Sequence, residues 1–408
     1  MICRHCKNDK LYPFLDLGVQ PPSNAYLSKH QLLEKEPKFP LKVSFCKTCY
    51  LVQTEDFTAP ETLFTSEYAY FSSTSQSWLA YAELYSNEII RRLGLGENSF
   101  VVEIASNDGY LLANFIKAKI PCLGIEPTSS TAKVAINQGI EVIQEFFGKN
   151  LSNQIVASHK KADLIIANNV YAHVPNINDF TKGIKNLLSK EGVITLEVPH
   201  LLNLVKKKQF DTIYHEHFSY FSLTAIKSIF EAFDLRIFDV DVLSTHGGSL
   251  RIYGCHKNNG KLATSSSVAS ILKTEKSFKL HTVGAYKNFQ KEISKIKDDF
   301  LQTLINIKNE NKIVLGYGAA AKGNTLINYA GVKADLLPVV FDAAASKQWK
   351  YLPGSQIPII PPEKLYNRKV DYILILPWNI KSEIKLQVKK MIKGEVKFIT
   401  AIPKLEIT

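Results

Sequence analysis

The chain lacks any apolar run that approaches the about 20 residues of a membrane-spanning helix. It also lacks the pattern of a secretory leader, because a potential metal ligand, Cys3, already occupies the third position. We therefore expect a cytoplasmic protein with no membrane partner. Its 408 residues are too many for one typical hydrophobic core, so two or three domains are expected.

Cysteine is scarce, and its distribution fits a reducing compartment. Four of the six cysteines form two pairs, Cys3 with Cys6 and Cys46 with Cys49, each with two residues between them. Two such knuckles present four thiolates to one ion, which predicts a structural Zn²⁺ site. The 39 residues between the pairs exceed the spacing of a compact ribbon, so a loop there must be held in place. Two redox pairs are the alternative.

Acidic residues are fewer than basic ones, and the formal net charge is +12. Such an excess is common in nucleic-acid-binding proteins. Here the lysines are scattered, with tight clusters only at 206–208 and 389–390. An attraction to phosphorylated metabolites explains the charge as well, so we expect no nucleic-acid partner.

Short apolar runs alternate with helical patterns from residue 99 onward, which predicts an α/β fold with open, mostly parallel sheets. Strands are predicted at 100–104, 121–125, 162–167, 192–197, 235–242 and 249–253, and again at 312–316, 337–341 and 372–376. Helices are predicted at 78–92, at 110–118 and within the lysine-rich stretch 273–308. Ligands of such sheets lie beyond the carboxyl ends of the strands.

The turn after the first of these strands, Ala-Ser-Asn-Asp-Gly at 105–109, contains a single glycine. Gly109 allows close backbone approach to a ligand, and Glu126, at the end of the next strand, can bind ribose hydroxyls. A nicotinamide dinucleotide requires G-x-G-x-x-G for its pyrophosphate. Asn107 and Asp108 suit the sulfonium and α-amino group of S-adenosylmethionine better, although another nucleotide or a lapsed site stays open.

The sequence Val-Glu-Ile-Ala-Ser-Asn-Asp-Gly at 102–109 resembles the first motif of class I methyltransferases. The resemblance implies a Rossmann-like core and a cofactor site for S-adenosylmethionine. The implied cofactor-binding residues are Glu103, Ser106, Asn107, Asp108, Gly109, Glu126, Phe146 (with Phe147 as the alternative beside the adenine), Asn168 and Asn169.

The run Tyr-His-Glu-His-Phe-Ser-Tyr-Phe-Ser at 214–222 concentrates protonatable side chains among aromatic residues. Folding does not require this composition, whereas a site that moves protons on an organic substrate does. The alternative is a metal site built on His-x-His and Glu216, which would need a further ligand. A polar and aromatic segment at 66–75 is typical either of a loop that lies across an active site or of an ordinary linker.

Four segments, at 168–176, 214–222, 246–251 and 316–324, resemble signature segments of the nucleotide-sugar C-methyltransferases. Enzymes of that family methylate C3 of 4-keto-deoxysugars during the synthesis of branched sugars. The resemblance covers essentially the whole chain and implies a zinc-binding domain (1–66), a methyltransferase domain (67–262) and a second Rossmann-like domain (263–408). It also implies a monomer and a nucleotide-linked 4-keto-6-deoxyhexose as substrate.

The family resemblance assigns roles to individual residues. His217 is the implied base that removes the C3 proton, tuned by Tyr214 and Glu216, while His173 and Tyr68 hydrogen-bond the developing oxyanion. The implied substrate-binding residues are Asn169, His173, Arg251, Gly318, Ala319 and Lys322. In the alternatives, His173 caps the following helix and Arg251 is a surface charge after a turn at His246. His215 receives no role.

The chain departs from the family pattern at Ala343-Ala344-Ala345 and at Trp349, which leaves the nucleobase open. Two other functions also stay open. One is O- or N-methylation of a sugar nucleotide, which needs no enolate. The other is a zinc-ribbon nucleic-acid-binding protein with a degenerate methyltransferase core, whose binding would depend steeply on salt.

Overall fold

The computed structural model describes residues 1–55, 71–366, 368–392 and 394–408. An antiparallel sheet lies at the N-terminus, with strands in the spatial order β1 (Leu11–Gln20), β2 (Phe39–Cys46), β3 (Val52–Thr54) and β9 (Ser219–Tyr220). The fourth strand comes from the middle of the chain, and it pairs Tyr220 with Val52. Two residues are too few to show a strand periodicity, so the sequence did not indicate this pairing.

The second sheet has seven strands. They are β4 (Val101–Ile104), β5 (Cys122–Ile125), β6 (Glu141–Ile143), β7 (Ala162–Asn168), β8 (Leu188–Pro199), β10 (Leu235–Leu243) and β11 (Ser249–His256). Their spatial order is β10-β11-β8-β7-β4-β5-β6, parallel from β6 to β8 and antiparallel at β11 and β10. The predicted strands of this region, including the antiparallel pair, are confirmed. The order reverses beside β4, so a ligand crevice is expected at the carboxyl ends of β4 and β7.

Helices cover both faces of this sheet. They are α1 (Gln76–Leu93), α2 (Leu112–Lys117), α3 (Ser129–Asn137), α4 (Lys149–Ser158), α5 (Ile177–Leu187) and α7 (Leu223–Glu231). The buried side chains of α6 (Leu201–Lys206) lie instead in the core that the N-terminal and C-terminal sheets share. In α5 the buried residues Ile177, Phe180, Ile184 and Leu187 fall on one stripe at helical spacing. Each face therefore closes a separate hydrophobic cluster against the strands.

The third sheet is built by the C-terminal part of the chain. It follows α8 (Ser266–Ser277) and α9 (Phe289–Asn309) and comprises β12 (Val314–Tyr317), β13 (Val340–Phe341), β14 (Ile359–Ile360), β15 (Tyr372–Ile375), β16 (Lys397–Thr400) and β17 (Glu406–Ile407), with α10 (Ala321–Ala330) and α11 (Lys381–Met391) between strands. The spatial order is β14-β13-β12-β15-β16-β17, parallel except for β17. This confirms the second Rossmann-like unit.

The N-terminal and C-terminal sheets share a hydrophobic core. Phe14 of β1 packs on Tyr286 and Phe289, with ring centroids 4.7 and 5.7 Å apart. The predicted domain boundaries stay predictions, and the one between 66 and 67 falls outside the described residues. Within the described ranges, no helix is both long enough and apolar enough to span a bilayer.

Candidate active site

The two cysteine knuckles meet at one point. The Sγ atoms of the four cysteines all lie within 4.8 Å of one another, with Cys3 and Cys49 3.4 Å apart and Cys6 and Cys46 3.5 Å apart. Tetrahedral thiolates about 2.3 Å from Zn²⁺ stand roughly 3.8 Å apart, so the cluster fits that ion. Left-handed backbone at Lys7 and Tyr50 (φ 60° and 65°) turns the chain directly after each pair.

No second metal cluster is formed in the described part of the chain: only the four cysteines gather three or more candidate ligand atoms of His, Cys, Asp or Glu. His215 and His217 therefore do not converge with Glu216 on a common point. His215 points toward β2, where its Nε2 lies 3.1 Å from the carbonyl oxygen of Phe39. This geometry argues against the metal-binding interpretation of 214–222.

The turn from β4 to α2 forms the floor of the crevice beside β7. Ala105 and Asn107 have positive φ angles of 59° and 52°, and Gly109 has one of 80°. A Cβ atom added at Gly109 would lie 2.4 Å from Cδ1 of Ile140. A side chain at Gly109 would therefore be both strained and obstructed, which explains the single glycine of the motif.

Buried acidic and hydroxyl groups surround this turn. Among the described residues, Glu103 Oε2, Ser106 Oγ and Asp108 Oδ1 are buried and have no hydrogen-bond partner. Burial raises the pKa of Glu103 well above its usual value, and the charges of Glu126 and Asp108 raise it further. Buried polar atoms are nearly always paired in native proteins, so this group fits a ligand that brings donors, such as the α-amino group of S-adenosylmethionine.

Glu126 is held at the end of β5 by two backbone amides. Its Oε2 accepts from the amide of Asn107 and its Oε1 from that of Thr128, both at 2.9 Å. Burial raises its pKa, while these hydrogen bonds act in the opposite direction. Because each carboxylate oxygen has a second lone pair, the oriented carboxylate can also accept from ribose hydroxyls.

The segment before α1 lies on the same turn. The amide of Ser72 donates to Asn107 Oδ1 at 2.9 Å, and that of Ser73 donates to Asp108 Oδ2 at 3.0 Å. Residues 72 and 73 belong to the segment 66–75, which the sequence leaves open between a loop across an active site and an ordinary linker, and these contacts favour the first. Tyr68 lies outside the described residues.

Asn168 and Asn169 end β7 on the other side of the crevice. Within the described ranges, the Oδ1 atoms of both side chains are buried without a hydrogen-bond partner. Asn169 has a φ of 55°, and its amide donates to the carbonyl of Glu197 at 2.8 Å. Of the two phenylalanines considered for the adenine, Phe146 is 47% exposed and Phe147 packs against Phe180.

His217 is oriented by a backbone carbonyl. Its Nδ1 lies 3.0 Å from the carbonyl oxygen of Thr212, which can only accept, so Nδ1 carries the proton. In the neutral imidazole Nε2 then holds the lone pair and can act as a base. Burial lowers the pKa of His217 well below its usual value, and the nearby His173 lowers it further. The ring is therefore neutral at neutral pH, with its one proton on Nδ1.

Aromatic rings and a second histidine surround His217. The ring centroid of Tyr214 lies 4.0 Å from that of His217, and the His173 centroid lies 4.7 Å away. Burial lowers the pKa of His173 to about 4, although a hydrogen bond to the backbone of Glu216 opposes that shift. The following helix is capped by Asn176, so the helix-cap alternative for His173 is not what the structure contains. The structure thus brings His173, Tyr214, Glu216 and His217 together.

Residues of the N-terminal region form hydrogen bonds to the segment that carries Glu216 and His217. Thr54 donates through Oγ1 to the carbonyl of His217 at 3.2 Å and through its amide to that of Phe218 at 3.1 Å. Asn24 donates through Nδ2 to Glu216 Oε2 at 2.6 Å. Sequence reasoning missed Thr54 and Asn24, and only the Pro-Pro-Ser-Asn loop at 21–24 offered a signal.

Arg251 is not a surface charge, because its side chain is buried, with a residue exposure of 3%. Its guanidinium lies 3.3 Å from the carboxylate of Glu197, which also accepts from Tyr81. The Arg251 carbon Cζ lies 4.3 Å from the ring centroid of Tyr85. The guanidinium of Arg251 is therefore already paired with groups of the protein. Its predicted contact with the substrate stays a prediction.

The C-terminal sheet presents its glycine-rich turn to the same region. Gly318 and Ala319 donate their amides internally, to the Phe341 carbonyl and the Asp342 carboxylate, both at 2.7 Å. Lys322 Nζ donates to Asn379 Oδ1 at 2.8 Å and lies 4.9 Å from the Trp378 ring centroid. Burial lowers the pKa of Lys322. Three residues of this turn are predicted to bind the substrate. Gly318 and Ala319 already use their backbone amides within the fold, whereas Lys322 offers a side-chain donor.

Lys322 and the turn at His246 approach His217 from two sides. The charges of both residues contribute to the lowered pKa of His217. His246 has a φ of 51°, and its ring centroid lies 5.5 Å from that of Trp78. Burial lowers the pKa of His246 to about 4. His246 and Lys322, whose protonated forms a bound anion would favour, therefore lie near the candidate base.

Three family models match the chain in succession. They are described as "Putative zinc binding domain" at residues 3–64, "Methyltransferase domain" at 78–240 and "C-methyltransferase C-terminal domain" at 244–403. A protein named C-methyltransferase NovU, from Streptomyces niveus, is 32% identical over 401 residues, which cover 98% of this chain and 95% of that protein. The similarity therefore extends across the cysteine knuckles and both Rossmann-like units.

Solved structures resemble the chain only in part. Magnesium protoporphyrin IX methyltransferase from Synechocystis PCC 6803, with bound S-adenosylmethionine, is 12% identical over 43% of this chain and 79% of its own, with a TM-score of 0.33. An S-adenosylmethionine-dependent methyltransferase from Clostridium acetobutylicum is 12% identical over 43% of this chain and 90% of its own, with a TM-score of 0.34. With scores this low, neither structure bears on substrate or mechanism.

Proposed function

Because this chain belongs to the C-methyltransferase family, we propose that it transfers a methyl group from S-adenosylmethionine to C3 of a nucleotide-linked 4-keto-6-deoxyhexose. The observation that carries the proposal is the orientation of His217, whose Nδ1 is bound to a carbonyl so that Nε2 holds the lone pair. The resemblance of four segments to those of nucleotide-sugar C-methyltransferases supports the sugar substrate.

His217 acts first, by accepting the C3 proton on Nε2. The electrons of the broken C–H bond form the C3–C4 double bond of an enolate, and the former ketone oxygen takes the negative charge. His173 and Tyr214, beside the imidazole, would donate hydrogen bonds to this oxygen. When bound at the β4 turn, S-adenosylmethionine supplies an electrophilic methyl group for the nucleophilic carbon.

The anionic substrate strengthens the base. His217 has a lowered pKa in the structure described here. A nearby diphosphate or enolate favours the protonated forms of His217, His246 and Lys322, so it raises the pKa of each. Proton transfer from carbon therefore becomes more favourable when the substrate is in place. In this proposal Lys322, at the start of α10, contacts the diphosphate.

Proton exchange in heavy water tests the proposed function directly. The protein is incubated in D₂O with S-adenosylhomocysteine and thymidine, guanosine or cytidine diphosphate-linked 4-keto-6-deoxyhexoses, and the C3 proton is followed by NMR. We expect the C3 signal to disappear with at least one nucleotide, and S-adenosylmethionine to give a C3-methyl product. Methylation of a sugar oxygen or nitrogen without C3 exchange would replace the proposal with heteroatom methylation.

Removal of the Glu126 carboxylate tests the cofactor site. In Glu126→Ala we expect the Kd for S-adenosylhomocysteine to rise roughly 10- to 150-fold, the loss expected for hydrogen bonds to a charged group. Isothermal titration calorimetry measures this change. Glu141→Ala is the matched control, because Glu141 is an exposed acid on the neighbouring strand β6. Equal affinity in Glu126→Ala and wild type would place the ribose elsewhere.

A further inference from the structure

The loop Pro-Pro-Ser-Asn at 21–24 is anchored on α10 and on the segment that leads to His217, and the proposed reaction does not explain it. The carbonyl of Ser23 accepts from Asn324 Nδ2 at 2.6 Å, and Ser23 Oγ lies 3.3 Å from Thr325 Oγ1. Thr325 in turn donates to the carbonyl of Ile213 at 2.9 Å. These groups are buried. The loop therefore connects the N-terminal region, α10 and the segment that leads to His217.

The next residue of the loop, Asn24, contacts the His217 segment itself. Asn24 Nδ2 lies 2.6 Å from Oε2 of Glu216, whose residue exposure is 1%. The hydroxyl of Tyr26 donates to the Ala319 carbonyl at 2.6 Å, which fixes the loop on the far side of Asn24. A buried carboxyl group with one short, anchored amide donor has little freedom to rotate.

We infer that Asn24 is a positioning residue for the proposed reaction: its side-chain amide fixes the orientation and the protonation state of the carboxyl of Glu216, the residue that directly precedes the base. The zinc-bearing region then contributes a side chain to the active site, in addition to stabilising the fold. This inference rests on the proposed function only for the role of Glu216, since the hydrogen bond itself is a feature of the structure.

The direction of the effect follows from the surroundings of Glu216. Burial raises the pKa of this carboxyl to about 7, and hydrogen bonds from the side chain and from the backbone of Asn24 oppose the rise because they favour the ionised form. Among the described residues, Tyr26 is a titratable group whose pKa responds to this carboxyl, whereas His173 bonds to the backbone of Glu216, and His215 and His217 are adjacent in sequence. Loss of the Asn24 amide therefore raises the pKa further, whichever protonation state the reaction uses.

A direct titration of Glu216 tests the inference. Protein labelled with ¹³C at the glutamate carboxyl carbon is titrated by NMR, and Glu216→Gln identifies the Glu216 resonance. We expect the midpoint to rise by about one pH unit in Asn24→Leu, the loss expected for one hydrogen bond to a charged group. Asn24→Gln, which restores an amide donor, is expected to return part of the shift.

Thr325→Val is the matched control, because it removes the hydroxyl that anchors the loop but leaves the Asn24 amide in place. A shift in Asn24→Leu without one in Thr325→Val supports the inference. Equal midpoints in Asn24→Leu and wild type, or equal shifts in both variants, would overturn it.

The pH profile of C3 proton exchange separates this inference from the proposed function. If wild type exchanges, the limb that reports Glu216 should move to higher pH in Asn24→Leu, while the Kd for S-adenosylhomocysteine stays unchanged. If wild type does not exchange at any pH, the proposed function fails. The NMR titration of Glu216 then still decides whether Asn24 controls its protonation.

Discussion

His217→Gln is expected to slow C3 proton exchange by roughly 10²- to 10⁴-fold, the contribution of one positioned base. The glutamine amide can still donate to the carbonyl of Thr212, to which Nδ1 of His217 is now bound. It offers no basic nitrogen in place of Nε2. The variant should therefore fold and bind S-adenosylhomocysteine as wild type does, while NMR in heavy water reports the loss of exchange.

His215→Gln is the control for that experiment. His215 is two residues away and also buried, but its Nε2 faces the carbonyl of Phe39 on β2. Replacing it removes an imidazole from the same segment without removing the candidate base. We expect exchange in this variant to stay within about tenfold of wild type, below the roughly 10²-fold minimum expected for loss of a base. Exchange in His217→Gln at the rate of His215→Gln would show that another group removes the proton.

Loss of the four-cysteine cluster is expected to have the second large effect. Structural Zn²⁺ sites contribute apparent binding free energies of about 10–16 kcal/mol that are largely folding energy. In Cys46→Ser we expect zinc content to fall from about one ion per chain to near zero, and the thermal midpoint to fall with it. Exchange at C3 should disappear as well, because β3 adjoins the ladder that supports His217.

Cys122→Ser is the matched variant, since Cys122 is a buried thiol outside the cluster. Elemental analysis, calorimetric melting and proton exchange are measured on both proteins. Cys122→Ser should keep its zinc. A Cys46→Ser protein that melts and exchanges like Cys122→Ser would contradict a structural role for the metal.

Periodic and motif-bearing features were predictable from the sequence. Most strands of the second and third sheets follow from apolar runs, although the short strands β6, β14, β16 and β17 were not predicted. The turn at 105–109 follows from its glycine and polar residues. His217 was predictable because histidines and aromatic residues are concentrated around it. The environment of Arg251 was not, because its partner Glu197 lies on the adjacent strand β8, 54 residues away in sequence.

Contacts between segments that are far apart in the chain could not be predicted from the sequence. Asn24 and Glu216 are 192 residues apart, and although the sequence draws attention to Glu216, nothing in either segment indicates that the two are paired. Such a pair is set by the way complete sheets pack, which depends on shape and buried area more than on any local pattern. The placement of Thr54 against His217 has the same origin.

The position of β9 in the chain also determines when the N-terminal sheet can be completed during synthesis. Among the described residues, the outer edge of β3 is paired by residues 219 and 220, more than 160 residues later in the chain. On the ribosome, the N-terminal sheet therefore waits with an open edge while most of the second sheet emerges. Closing so long a loop is slow, and exposed strand edges favour aggregation. Early metal capture by the cysteine knuckles would protect the nascent chain during that interval.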